Sequence, residues 1–357
     1  MINKIMDLSQ RLISIPSTRE NPDQLKKIIN FCQDFLKDFS QEYFESNNIP
    51  SLLVYNTKTR PKKFKIILNG HLDVVPAKAE QFKPHEKNGK LYGRGTNDMK
   101  TATAVLMLIF QELAKKINYP LALQLTTDEE VGGLNGVKYQ IKKEVRADFF
   151  ITGESTDLNI KNEAKGVIWL KLTTFGKAAH GAYPWLGDNA LWKLITVLNQ
   201  IQKKFPLTLK NHWQTTVNLA TITTLNTSFN RIPDSASATI DIRYIPKEAK
   251  TIQEKIKSLI PKGVKLEFAT NEPYHYSNMN NVYSKTLSKV IKKITGQPPK
   301  ITKGHGASDA RHYSEKGILG IEFGPTGEGL HSDNECVEIK SLEKYYQILK
   351  EFLLEIK

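Results

Sequence analysis

The chain has 357 residues, 39% of them hydrophobic, with 51 Lys and Arg against 37 Asp and Glu and a formal net charge of +14. That length exceeds the ~250–300 residues at which single cores stop growing, so two domains are expected, and no apolar run approaches the ~20 residues of a bilayer span, so no membrane is expected. The lysines are scattered, with only short runs such as RPKKFK and IQKKF, which argues for a solvated surface, or a field that draws a small anionic substrate, and against nucleic acid as a partner.

The opening segment, MINKIMDLSQRLISIPSTRE, spaces Ile2, Ile5, Met6, Leu8, Leu12 and Ile13 as a helix does and stops before Pro16. Its polar interruptions are unlike a signal-peptide core, so it reads as a mature helix. Two cysteines, Cys32 and Cys336, give no disulfide framework, which suits a reducing, cytoplasmic compartment. From about residue 62, apolar strand-like runs alternate with helical stretches: FKIILN, TATAVLMLIFQELAKK, LALQLTT, ADFFITG. Such strands predict an α/β layer domain with a sheet sandwiched by helices. Near residue 165 the runs become longer, Thr-rich and alternating: GVIWLKLTTFG, TVNLATITTL, SATIDIRYI and VKLEFAT, with helices at about 188–204 and 248–260. This β-α-β-β-α-β order predicts an inserted ferredoxin-like α+β domain over 165–271. After about residue 272 the alternation resumes in VYSKTLSKVIKKI, GILGIEFG and LEKYYQILKEFLLEI, so 1–164 and 272–357 are expected to form one discontinuous domain.

Polar groups with metal-ligand chemistry fall at the ends of the predicted strands. His71 follows FKIILNG, Glu129 and Glu130 follow LALQLTTD, Glu154 follows ADFFITG, and His331 follows GILGIEFG, while Asp98 precedes a helix in YGRGTNDMK. Loops at the carboxyl ends of strands form the ligand crevice of open α/β sheets. Two imidazoles and three carboxylates suit a pair of zinc ions about 3.5–4 Å apart. Asp73, two residues after His71 on an extended strand, is placed to accept the second ring N–H. Of the adjacent glutamates one can bind metal while the other, facing substrate, serves as general base. Each motif alone has a bland reading: DEE as a solvated turn, HSDNE as a polar loop, Glu154 as a helix-capping acid.

Together the runs GHLDVVP, GRGTNDMK, TTDEEVGG, GEST, GKAAHGAYPWLGDNA and HSDNE resemble, in order and spacing over essentially the whole chain, a metal-dependent hydrolase family. That family includes acetylornithine deacetylase, succinyl-diaminopimelate desuccinylase, aminoacylase and glutamate carboxypeptidase. The resemblance implies that His71 and Glu154 hold one zinc, that Glu130 and His331 hold the other, that Asp98 bridges both, and that Glu129 is the base. It implies further that the inserted domain mediates a homodimer, that His180 reaches the partner's active site to polarise the scissile carbonyl, and that Asn230 and Arg243 lie near a substrate carboxylate. For Arg243, pairing with Asp241 is an equal alternative.

The chain departs from the family at Ser155, where proline often follows the glutamate, and at Thr101 and Ala102, where glycine is common. GRGTND and GHGASD complete no phosphate-loop pattern, and Ser308 lacks the G-x-S-x-G elbow. Arg311 either pairs a structural acid or meets an anion. The expectation is a dizinc amidohydrolase, with Co²⁺ or Mn²⁺ able to replace zinc, that deacylates an N-acyl-L-amino acid. A metallo-exopeptidase acting on dipeptides is the alternative within the family, and a non-catalytic polyanion-binding protein is the alternative of another class.

Overall fold

A computed structural model describes residues 1–207 and 210–356. It contains two compact units: Met1–Glu163 with Tyr276–Thr302 and Ser308–Lys357, and Ala164–His275 with Lys303–Ala307.

The first unit is built on a mixed sheet. Phe64–His71 lies between Leu121–Thr126 and Ala147–Thr152, parallel to both, and Leu319–Glu322 continues the parallel set. The long apolar runs follow from burial on both faces: Ile66, Leu68, Phe149 and Ile151 enter one core, while Ile67 and Phe150 enter another with Val137, Ile141 and Tyr313. Lys100–Leu113, apolar nearly all round, is the buried helix of the larger core, where it meets Ile5, Leu8 and Leu12 and the last helix, Ile339–Glu355.

An antiparallel hairpin, Ser40–Ser46 with Ile49–Tyr55, extends this sheet. Sequence pattern passes over it because its outer strand, SQEYFES, has no apolar run and sits half-exposed at the sheet edge. The signal lies in the turn: Asn47 and Asn48 have φ of 50° and 62°, the paired left-handed conformation of a tight hairpin. A small four-stranded sheet, also unforeseen, joins Gly327–Glu328, Cys336–Glu338, Lys90–Tyr92 and His85–Lys87. These strands have two or three residues each, too few for a periodicity.

The second unit has four antiparallel strands in the order Thr216–Thr223, Ser235–Tyr244, Gly166–Phe175, Lys265–Glu272. Strict alternation along Ser235–Tyr244 buries Ala238, Ile240 and Ile242 against Leu194, Val197 and Ile201 of the helix Ala190–Lys204. With Ile252–Lys257 as second helix, the order is that of a split β-α-β-β-α-β unit. Among the described residues no helix is long and apolar enough to cross a membrane.

Candidate metal centre

Within the first unit, three strand ends and two loops bring five of the expected residues together. His71 ends its strand, and its Nε2 lies 2.9 Å from Asp98 Oδ1 and 3.7 Å from Glu154 Oε1. On the other side of the same aspartate, His331 Nε2 lies 3.1 Å from Oδ2 and 3.2 Å from Glu130 Oε2. Donor atoms of His71, Asp98 and Glu154 all fall within 4.8 Å of one another, as do those of Asp98, Glu130 and His331, so Asp98 is common to both groups. Each group offers one imidazole nitrogen and carboxylate oxygens, the donor set of zinc and its neighbours.

The electrostatics favour a cation. Burial alone would lower His71, but Asp73, Asp98 and Glu154 around it hold it well above the usual imidazole range. Hydrogen bonds to Asp98 and Glu130 push His331 up to about 10. Burial and the charge of Asp98 raise Glu154 to about 8. The imidazolium protons thus offset crowded carboxylates, and divalent cations would do so more fully. The residues fit a pair of such ions.

Glu129 and Glu130 occupy a short 3₁₀ turn, Glu129–Val131, after the strand Leu121–Thr126. Their side chains diverge: Glu130 meets His331, whereas Glu129 belongs to neither donor group. Burial, then the charge of Glu154, pushes Glu129 well above the usual carboxylate range, partly opposed by His71 and Arg311. The turn ends at Gly132 and Gly133, with φ of 110° and 64°. A Cβ on Gly133 would lie 2.0 Å from Asp309 Oδ1, so both conformation and space require glycine there. Arg311 Nη2 and His312 Nε2 donate to the Gly132 carbonyl at 2.6 and 3.0 Å. Arg311 therefore holds backbone, with Nη1 on the Ser308 carbonyl at 2.7 Å. Ser308 itself donates to Glu322, which also pairs with Lys161 at 2.5 Å.

Asp73 meets the second ring nitrogen of His71 with both its main chain and its side chain. His71 Nδ1 is 3.1 Å from the backbone carbonyl of Asp73 and 3.5 Å from its carboxylate, so the carbonyl is the nearer acceptor. The carboxylate accepts from the Glu130 amide at 3.0 Å, tying the first motif to the third.

Sequence reasoning also passed over Glu335, Arg94 and Asn97. Glu335 is buried and accepts from three loop amides, those of Gly95, Asn97 and Asp98, while pairing with Arg94. Ser155, the departure after Glu154, donates to Asn97 Oδ1 and to the Pro325 carbonyl at 3.2 Å. The signal was an acid and an arginine inside two polar runs already singled out. Lys100 is also buried, with Nζ donating to the carbonyls of Leu12 and Ile15 at 3.1 and 2.7 Å. Burial lowers it to about 7 despite Asp73 and Glu335.

The remaining expected residues lie in the second unit. His180 is exposed, with Nδ1 accepting from the Ala182 amide at 3.1 Å, and the Gly181 amide donates to the Asn230 carbonyl at 2.6 Å, which sets His180 and Asn230 in adjoining loops. Arg243 Nε donates to both oxygens of Asp241 at 2.9 and 3.1 Å, the bland pairing, and Trp169 shares that acid. Arg243 nonetheless lines a cavity of about 340 Å³ with Lys165, Lys210, Asn211, His212, Thr216 and His305, and among the described residues no acid lines it. Burial and the charge of Arg243 depress the Lys165 pKa.

A family model described as Peptidase family M20/M25/M40 matches residues 67–355. The chain is 33% identical over 341 residues to a succinyl-diaminopimelate desuccinylase of Pelagibacter ubique, covering 87% of this chain and 88% of that one. It is 27% identical over 385 aligned residues to a protein of the same description from a Nitratiruptor species, covering 98% and 99%. Among solved structures, an aminopeptidase from Bacillus cereus matches with a TM-score of 0.82 at 19% identity, over 99% of this chain and 98% of that one. An M20 family metallo-carboxypeptidase from Sulfolobus solfataricus matches with a TM-score of 0.78 at 18% identity, over 98% of each. At such identities these two likenesses speak to fold.

Proposed function

Because the chain belongs to the M20/M25/M40 peptidase family, and so is a metallohydrolase acting on amide or peptide bonds, we propose that it removes the acyl group from an N-acyl-L-amino acid bearing a free carboxylate. The observation that carries this reading is that Asp98 is common to two ligand groups while Glu129, beside them in sequence, joins neither. The polyanion-binding alternative falls with the family assignment.

His71, Asp98 and Glu154 would hold one zinc ion, and Asp98, Glu130 and His331 a second, with cobalt or manganese able to serve. Bound there, divalent ions acidify a water and polarise a carbonyl. Glu129, its pKa raised by burial and by the charge of Glu154, takes as carboxylate the proton of the attacking water and delivers it to the leaving nitrogen. Asp73 fixes His71 through its carbonyl and Glu130 through its carboxylate.

The second unit serves as lid and dimerisation domain. Its edge strand Thr216–Thr223 leaves Leu219 and Ile222 exposed, and Leu225 and Phe229 follow at 92% and 109% exposure. An unpaired edge with apolar side chains is a surface awaiting another chain. In the homodimer His180 acts in the partner's site, polarising the scissile carbonyl. Asn230 and Arg243 recognise the carboxylate, a role supported for Arg243 by the cavity it shares with Lys165 and Lys210. Free thiols at Cys32 and Cys336 suit a cytoplasmic location.

The test is a hydrolysis screen of metal-loaded protein against N-succinyl and N-acetyl amino acids, their methyl esters, and dipeptides. N-acyl acids should be cleaved, with kcat/KM falling roughly 10- to 150-fold for the ester, the scale of a lost charged hydrogen bond. Arg243→Ala should erase most of that preference. Cleavage of dipeptides alone would favour the exopeptidase, and equal cleavage of ester and acid would refute carboxylate recognition.

A further inference from the structure

We propose that Glu335 is a positioning residue that fixes Asp98 through the backbone and couples it to His331 through Arg94. This rests on the two-metal reading of the cluster. The segment Gly93–Asp98 has no helix or strand to satisfy its amides, so its conformation depends on other acceptors. One oxygen of Glu335 accepts from Gly95, Asn97 and Asp98 at 3.0, 2.9 and 3.0 Å. Three amides converging on one anionic oxygen form a nest that a neutral or shorter side chain fills poorly. With its own amide held in that nest, Asp98 projects one carboxylate oxygen toward each imidazole.

The other oxygen of Glu335 pairs with Arg94, both being buried. Arg94 donates in turn to the backbone carbonyl of His331 at 3.2 Å. That contact matters because His331 has φ of 61°, a left-handed conformation that a residue with a side chain adopts only when its surroundings impose it. One buried ion pair therefore ties together two loops that each carry a ligand. The two positions depend on it unequally. The group of His71 and Glu154 receives only Asp98 from this device, whereas the group of Glu130 receives both Asp98 and His331.

Metal-free wild type and Glu335→Gln would be titrated with Co²⁺, following the visible absorption of the bound ion, with folding checked by circular dichroism and thermal melting. Wild type should take up two equivalents; failure to do so refutes the two-metal reading and leaves wild type as the point of failure. Glu335→Gln keeps the side-chain volume and a carbonyl oxygen but loses the charge. Its affinity should fall by about 10- to 100-fold at the position containing Glu130 and His331, the usual scale for a partner behind a ligand, and by several-fold less at the other. Arg94→Lys keeps the charge but loses the fork that reaches His331, and should weaken that same position. If Glu335→Gln does not fold, Arg94→Lys decides. Two equivalents bound with wild-type affinity by a folded variant, or equal weakening at both positions, would overturn the proposal.

Discussion

The two units invert the usual placement of residues in opposite ways. The first takes acids and imidazoles out of water: Asp73, Asp98, Glu335 and His71 are all at least nine-tenths buried, and backbone amides or ion pairs hold them. The second puts aromatic and aliphatic groups into water, with Trp185, Trp192, Leu225 and Phe229 among its most exposed side chains. Buried like charges and exposed apolar surface are each costly when left alone. Each fits what we propose the region receives, a cation in one case and a second copy of the chain in the other.

The sharpest way to break this contrast is Glu129→Gln. The amide preserves shape but cannot accept a proton, so turnover should fall by ~100-fold or more while metal content stays at two equivalents. Near-wild-type turnover would remove Glu129 from the chemistry. Next in size is the effect on the cluster itself. Asp98→Ala should reduce occupancy of both positions, whereas His331→Ala should chiefly empty one. Elemental analysis after dialysis measures both, and two full equivalents in Asp98→Ala would contradict sharing.

On the exposed side, charges at Leu219 and Ile222 should weaken self-association by on the order of 10- to 100-fold, read by sedimentation. Mixing inactive His180→Ala with inactive Glu129→Gln subunits should then restore part of the activity for the natural edge and none for the charged one. The smallest expected effect concerns His312. Burial, then the charge of Arg311, holds its pKa well below 6.5, so the folded chain keeps this imidazole neutral while the unfolded chain takes up a proton. Stability should therefore decline as pH falls below about 6.5, by at most ~1.4 kcal/mol per pH unit from this group. His312→Gln should flatten that dependence in chemical denaturation.

Much of this was legible in the sequence where one physical effect dominates. Two-sided burial wrote the apolar runs Ile66–Leu68 and Phe149–Ile151 at the centres of their strands, and one-sided burial wrote Ser235–Tyr244 as an alternation. That His71, Glu130 and Glu154 would meet was legible because strand ends collect residues that share a crevice. What stayed hidden is bonding that leaves no periodic mark. Glu335 reaches across 237 residues to the Asp98 amide, and Asp73 uses its main-chain oxygen for His71 and its side chain for Glu130. The residue types were visible, but the partner chosen by each oxygen was not.

Lys100 shows how far the surroundings of the candidate metal centre extend along the chain. The family match begins at residue 67, yet the ammonium of this lysine, two residues from Asp98, is capped by carbonyls at Leu12 and Ile15. A polypeptide trimmed to the matched segment would strand that ammonium in an apolar interior without its two acceptors, and would uncover the core once sealed by Ile5, Leu8 and Leu12. The shortest autonomous version of this enzyme must therefore retain its first helix, remote though that helix is from the ligand motifs.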